Sequence, residues 1–180
     1  MQPGKEENMI YRSAFVMALA LLLILGCSQS AKEVTQLYHF SVDDMEGVIS
    51  RDEVEFDEEI SSDGRGSLKI AVAEPTVVRL FRIGDVDVEN ACLIYRAWIR
   101  TEDVDGKVYL EMWCHFPGRG EFFSRGLHGP LSGTTDWTTR ETPFFLKKGE
   151  NPDLVELNLV LDGEGTVWID DIRLFKGPLK

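Results

Sequence analysis

Leu93-Ile-Tyr-Arg-Ala-Trp-Ile-Arg100, then Thr101-Glu-Asp-Val-Asp-Gly106, then Lys107-Val-Tyr-Leu-Glu-Met-Trp-Cys-His-Phe116 form one unbroken stretch. Its outer pieces alternate apolar with polar or aromatic residues, the period of a strand. Asp105-Gly106 between them is turn chemistry, so the stretch reads as a β-hairpin. Facing Ile99 with Val108 brings Ala97 to Leu110, Tyr95 to Met112 and Leu93 to Cys114. All eight then share one side, which makes the register self-consistent. The opposite side pairs Arg96 with Glu111, Trp98 with Tyr109, Ile94 with Trp113 and Arg100 with Lys107. Such a face does not suit a sheet covered by helices on both sides. It suits a β-sandwich with one inner and one outer face. The outer face is either a ligand platform or a solvated sheet stabilised by cross-strand pairs.

Working outward, every other ordered segment also has strand character. Leu37–Val42, a short strand around Val54 and Phe56, Leu68–Ala73 and Val77–Ile83 precede the stretch. Trp137–Phe145, Leu154–Leu161 and Thr166–Phe175 follow it, the last two separated by a turn at Gly163–Gly165. Phe116–Thr135 reads as a long connection with a short strand near Phe122 and Phe123. No segment after residue 36 has a helical period, so the fold class is all-β, an antiparallel sandwich.

The chain has 180 residues, a net charge of −12 and 43% hydrophobic residues. That length suits one domain plus a targeting segment. The acidity, with no basic patch, excludes nucleic acid as the expected partner, because that binding depends on Lys and Arg neutralising phosphates. There are only three histidines, at 39, 115 and 128, and no nucleophile elbow, phosphate loop or metal-binding His pair. Glu111 and Glu156 make a carboxylate pair only if their strands adjoin. The expectation is a protein that is not an enzyme.

Ala14 to Leu25 is an unbroken apolar run preceded by Arg12. It is shorter than the roughly 20 residues that span a bilayer and has the order of a secretory signal. Its ending, Ile24-Leu25-Gly26-Cys27, resembles the lipobox of bacterial lipoproteins. The resemblance implies a signal peptide over 1–26, a lipidated Cys27 opening a polar tether over 27–36, and a domain over 37–180. It implies a membrane partner through the lipid anchor and a cell-envelope address, the outer membrane if the host has one, since Ser28 follows the cysteine. The other reading is a plain signal or membrane anchor with a chance cysteine. Of the remaining cysteines, Cys114 lies on the core face and Cys92 on the outer one, so a disulfide between them is not expected.

Three motifs carry a further resemblance. They are Gly64-Arg-Gly-Ser-Leu-Lys-Ile70, Tyr95-Arg-Ala-Trp-Ile-Arg-Thr101 and Gly165-Thr-Val-Trp-Ile-Asp-Asp-Ile-Arg-Leu174, with Trp137 between the last two. Together they resemble the jelly-roll carbohydrate-binding modules of the galactose-binding-like fold. The resemblance implies carbohydrate as a partner and structural roles for Trp137 and Trp168. It also implies one structural calcium at Asp170, with Asp43 and the Ser61–Ser67 loop as further oxygen donors. The rings a sugar needs would be Trp98, Tyr109 and Trp113, and the polar groups Arg96, Glu111 and Asn158, with Glu156 if its strand adjoins. The alternative is a structural or protein-interaction sandwich of the envelope without a sugar site. Neither the particular glycan nor the oligomeric state follows from the sequence.

Overall fold

The structure is a computed structural model that describes residues 33–179. The signal peptide, Cys27 and most of the tether lie outside the described residues. Among those described there is no helix, and the eight strands are β1 (Thr35–Phe40), β2 (Glu55–Asp57), β3 (Ser67–Val72), β4 (Thr76–Gly84), β5 (Ala91–Phe116), β6 (Gly120–Arg125), β7 (Leu131–Leu146) and β8 (Leu154–Gly177). β1 thus starts two residues inside the stretch read as tether.

The central stretch is not a hairpin. β5 runs for 26 residues without reversing, antiparallel to the 24-residue β8 from Cys92↔Gly177 to His115↔Leu154. Ile99 pairs with Ile169 and Thr138, and Val108 with Leu161 and Leu131. The expected pairs Arg96–Glu111, Trp98–Tyr109, Ile94–Trp113 and Arg100–Lys107 do not form. The turn expected at Gly163–Gly165 is likewise absent, since β8 passes straight through it. Both glycine-containing segments are instead the corner at which the β5–β8 ribbon bends.

The bend makes two layers. In the first, residues 164–177 of β8 carry β1 and β3 end to end on one side and residues 91–102 of β5 on the other. β2 extends that layer beyond β3, and β7 beyond β5. In the second, residues 154–162 of β8 pair with β4, and residues 105–116 of β5 pair with β6. The ladders join all eight strands into one sheet folded over on itself. This is the antiparallel β-sandwich that the period-2 pattern predicts.

The hairpin reading selected the right core residues for a physical reason. Between Glu102 and Asp105 β5 has one extra residue relative to β8, and Asp103 sits there at φ 50°. Such a bulge exchanges the two faces of a strand. Inward positions therefore change from Leu93, Tyr95, Ala97 and Ile99 to Val108, Leu110, Met112 and Cys114, all at most 1% exposed. A tight turn would have changed them in the same way. Val155, Leu157, Leu159 and Leu161 of β8 join the same core cluster, and Phe40 stacks on Phe81 at 3.9 Å. Full burial of each such aliphatic side chain contributes about 1.5–3 kcal/mol, so this shared interior holds the layers together. Cys114 is a free buried thiol, pushed up to about 12 by desolvation, and Cys92 is not bonded to it.

Candidate functional site

The bend separates the expected sugar-binding residues. Tyr109, Glu111, Trp113 and Asn158 lie on the outer face of the second layer; Arg96 and Trp98 lie on the outer face of the first. In the second layer, register places Glu111 beside Asn158 and Arg125, and Trp113 beside Glu156 and Phe123. Glu156 in turn neighbours Arg82 of β4. Each row of this face therefore runs across four strands.

Glu111 is the anchor of the face. It points outward, yet it is 2% exposed because its neighbours close over it. Its Oε1 accepts hydrogen bonds from the Trp113 indole N–H at 2.7 Å and the Asn158 amide at 3.3 Å, and its Oε2 accepts one from Arg125 Nε at 2.6 Å. A buried carboxylate needs partners of this kind, because leaving it unpaired is costly. The bond from the indole also fixes the Trp113 ring. Tyr109 beside it is buried, which raises its phenol above the usual range. The Asn158 Oδ1 is buried with no hydrogen-bond partner among the described residues.

Above this network lies an open cleft of about 150 Å³ lined by Arg82, Trp113, His115, Glu121, Leu154 and Glu156. Phe123 is 50% exposed and lies 4.9 Å from the Trp113 ring at 46°, with the Arg125 guanidinium 4.6 Å from its centre. Arg82 holds Glu156 at 2.6 Å, and His115 holds Asp153 at 2.5 Å. The cleft thus has the Trp113 ring, held by Glu111, in its wall with charged donors and acceptors around it, and Phe123 lies beside that ring. Arg82, Phe123 and Arg125 were not among the sequence candidates. Their strands are short or flank the centre, and alternation alone gives no neighbour for an edge strand.

On the first layer Trp98 is 38% exposed and neighbours Thr139 and Asp170. Arg96 pairs with Glu141 at 2.8 Å and lies 4.8 Å from the centre of the Phe175 ring. Trp168 is 3% exposed and donates its indole N–H to Asp57 at 2.8 Å, a structural contact. Trp137 is half-buried and lines an open recess with Trp98.

The expected calcium donors are placed differently from a cation cage. Asp170 is fully buried. Its Oδ2 accepts from the Ser62 backbone N–H at 2.8 Å and hydroxyl at 2.7 Å, and its Oδ1 from the Asp171 N–H at 2.7 Å. Burial raises the Asp170 carboxyl above its ordinary value, against those hydrogen bonds. Asp43 Oδ2 faces the Arg65 guanidinium at 3.3 Å. Calcium takes six to eight oxygens, and here an arginine already supplies the positive charge. Among the described residues no three Asp, Glu, His or Cys side chains converge as a metal group. The donor set as it stands does not fit calcium.

No protein-family model matches the sequence, and no curated protein does. Solved structures do share the fold. The xylan-binding domain CBM22-1 of Paenibacillus barcinonensis Xyn10C aligns with a TM-score of 0.59 at 13% identity, over 83% of this chain and 98% of that one. The second xylan-binding domain of the same protein, CBM22-2, gives 0.56 at 9%, over 77% and 98%. TmCBM61, solved in complex with β-1,4-galactotriose, gives 0.53 at 12%, over 78% and 98%. This chain therefore has the β-sandwich fold of carbohydrate-binding modules.

Proposed function

We propose that this chain is a non-catalytic, glycan-binding module displayed on the cell envelope by a lipid at Cys27, with its sugar site on the outer face of the second layer. The observation that carries the reading is the Trp113–Phe123 pair, with the Trp113 indole held by Glu111 and Phe123 half exposed beside it. The C–H face of a pyranose ring packs on such rings, and its hydroxyls bond to groups placed like Arg82, Glu156, His115 and Glu121. The fold's neighbours include a xylan-binding domain and a module solved with a galactotriose, which supports a neutral polysaccharide here. Glu111 and Glu156 do occupy adjoining strands, but each is bound to an arginine. A glycosidase acid must carry a proton, so this pairing favours binding over hydrolysis.

The test is native affinity electrophoresis of the full chain in detergent through gels containing soluble xylan or β-1,4-galactan. Retardation that weakens by about 30-fold in apparent affinity in Trp113→Ala is the expected result, the effect of losing a central aromatic anchor. Unretarded wild-type protein in every gel overturns the sugar reading. The anchor is tested separately: Cys27→Ser is expected to move the protein from the membrane to the soluble fraction of cells, since two acyl chains hold a protein where one gives only marginal binding. A variant that stays membrane-bound rejects the lipid.

A further inference from the structure

We propose that the recess shared by Trp98 and Trp137 is a second glycan-binding site, on the opposite layer from the first, so that one domain bridges two polysaccharide chains. The ligand class rests on the reading of the domain as a glycan binder; the site itself rests on what the first layer places together.

Four tryptophans divide cleanly by what their indole N–H groups do. Trp113 donates to Glu111 and Trp168 to Asp57. Trp98 and Trp137 have no such partner among the described residues, and both line an open recess of about 290 Å³ with His39, Asp63, Arg65 and Arg173. Trp98 is 38% exposed, although burying an indole is among the larger gains available to a fold. Two partly exposed rings lining one recess, each with an open donor, make a platform for a pyranose.

The polar rim of the recess is held in place by the backbone. β8 carries one extra residue between Asp170 and Arg173 relative to β5, with Asp171 at φ 49°. A non-glycine residue in that conformation is uncommon and is maintained only by its surroundings. The bulge lets adjacent aspartates take different roles. Asp170 reaches Ser62 and is fully buried, while Asp171 lines the recess. There its Oδ1 takes His39 Nε2 at 2.6 Å and Arg173 Nε at 2.9 Å. Asp63 is similarly held by Arg65 at 2.6 Å. Carboxylates already oriented by cations present fixed acceptors beside fixed donors, an arrangement that suits pairs of hydroxyls. Because each acidic group is matched by a cation, and the chain as a whole carries −12, the recess suits a neutral sugar rather than a polyanion.

The two sites lie on the outer faces of opposite layers, with the hydrophobic core between them. One sugar chain lying along either face does not reach the other. Two linked sites on one molecule raise retention on a polymer well above either affinity alone.

The experiment uses full-length protein in detergent, in affinity gels containing xylan or β-1,4-galactan. It compares wild type with Trp113→Ala, with the Trp98→Ala/Trp137→Ala pair, and with all three changes together; Trp137→Ala alone replaces the pair if the pair does not fold. Each partial variant is expected to remain retarded at weaker apparent affinity, by about 30-fold for Trp113→Ala and roughly tenfold for the recess variants, and only the triple variant to run free. Wild type alone should cross-link soluble polysaccharide, seen as turbidity. If Trp113→Ala by itself abolishes retardation, the recess is not a site and the single-site reading stands. If changing Trp98 and Trp137 abolishes it, the recess is the site and the second-layer cleft is not. Unretarded wild type in both gels overturns both.

Discussion

Gly106 lies directly opposite Gly163 in the central ribbon, and neither position has room for a β-carbon. A β-carbon on Gly106 would fall 2.2 Å from the Asp162 carbonyl oxygen, and one on Gly163 would fall 1.9 Å from that of Asp105. Their φ angles are 135° and 154°, outside what side-chain-bearing residues readily adopt. The two longest strands bend together at this contact, and the bend puts the two aromatic faces on opposite sides of one core.

Gly106→Ala and Gly163→Ala are each expected to destabilise the fold by about 3 kcal/mol or more, combining backbone strain with a clash against main chain rather than a movable side chain. Urea midpoints measure this. A hairpin tip at Asp105-Gly106 would tolerate alanine at a cost of about 1 kcal/mol. A small effect would therefore restore the hairpin and remove the corner.

The corner also explains which parts of the fold were legible in sequence. Alternation identified the inward residues of β5 and β8, because packing depends on side-chain period and not on strand partners. Topology was not legible. Asp-Gly supplies positive φ equally to a two-residue turn and to a bent ribbon, and nothing local distinguishes them. The candidate site inherited that ambiguity. Trp98 and Tyr109 were placed together because a hairpin would put them together, whereas the ribbon carries them to different layers. Glu111, Trp113 and Asn158 remained together because their grouping does not require the turn. Trp137 has a structural role by resemblance alone, and its half-buried place in the wall of an open recess is not legible from alternation.

Tyr95 is fully buried, and its hydroxyl has no hydrogen-bond partner among the described residues. Burial pushes the phenol well above its ordinary value, so it stays neutral at any working pH. An unsatisfied buried hydroxyl costs free energy that the ring's packing offsets. Tyr95→Phe keeps the ring and removes the cost. It is expected to raise stability by about 1 kcal/mol, or the melting temperature by about 2–4 °C. Calorimetry decides it, and a fall in melting temperature would mean that the hydroxyl is bonded after all.

Asp57 links acid stability to the first layer. Its burial alone would raise the carboxyl, but the Trp168 indole and the backbone N–H groups of Ile60 and Glu59 bond to the charged form and bring it below the ordinary 3.8. A carboxyl lowered on folding binds its proton more weakly in the folded state. Its contribution is therefore complete above 3.8 and fades as pH falls through the lower folded value. Trp168→Phe removes the largest of the bonds that lower it. The variant should lose about 1 kcal/mol near neutral pH. It should also show a shallower decline in urea midpoint than wild type below about pH 4. Parallel pH curves for the two proteins would reject the linkage.

Arg65 connects the first-layer loop to the question of calcium. Its guanidinium bonds Asp63 at 2.6 Å and faces Asp43 at 3.3 Å, and it holds the Asp63 carboxyl below its usual range. Asp43 Oδ1 is buried with no hydrogen-bond partner among the described residues. Arg65→Ala leaves Asp43 and Asp63 without their cation, near a third carboxylate at Asp170 that already feels the charge of Asp63. Like charges then repel, and oxygen donors without a counter-charge are what calcium selects. The variant is expected to melt at a lower temperature than wild type. Millimolar calcium is expected to recover most of that loss and to move wild type less. Equal stabilisation of both proteins by calcium would show that the ion binds with Arg65 in place, and that the arginine is not its substitute.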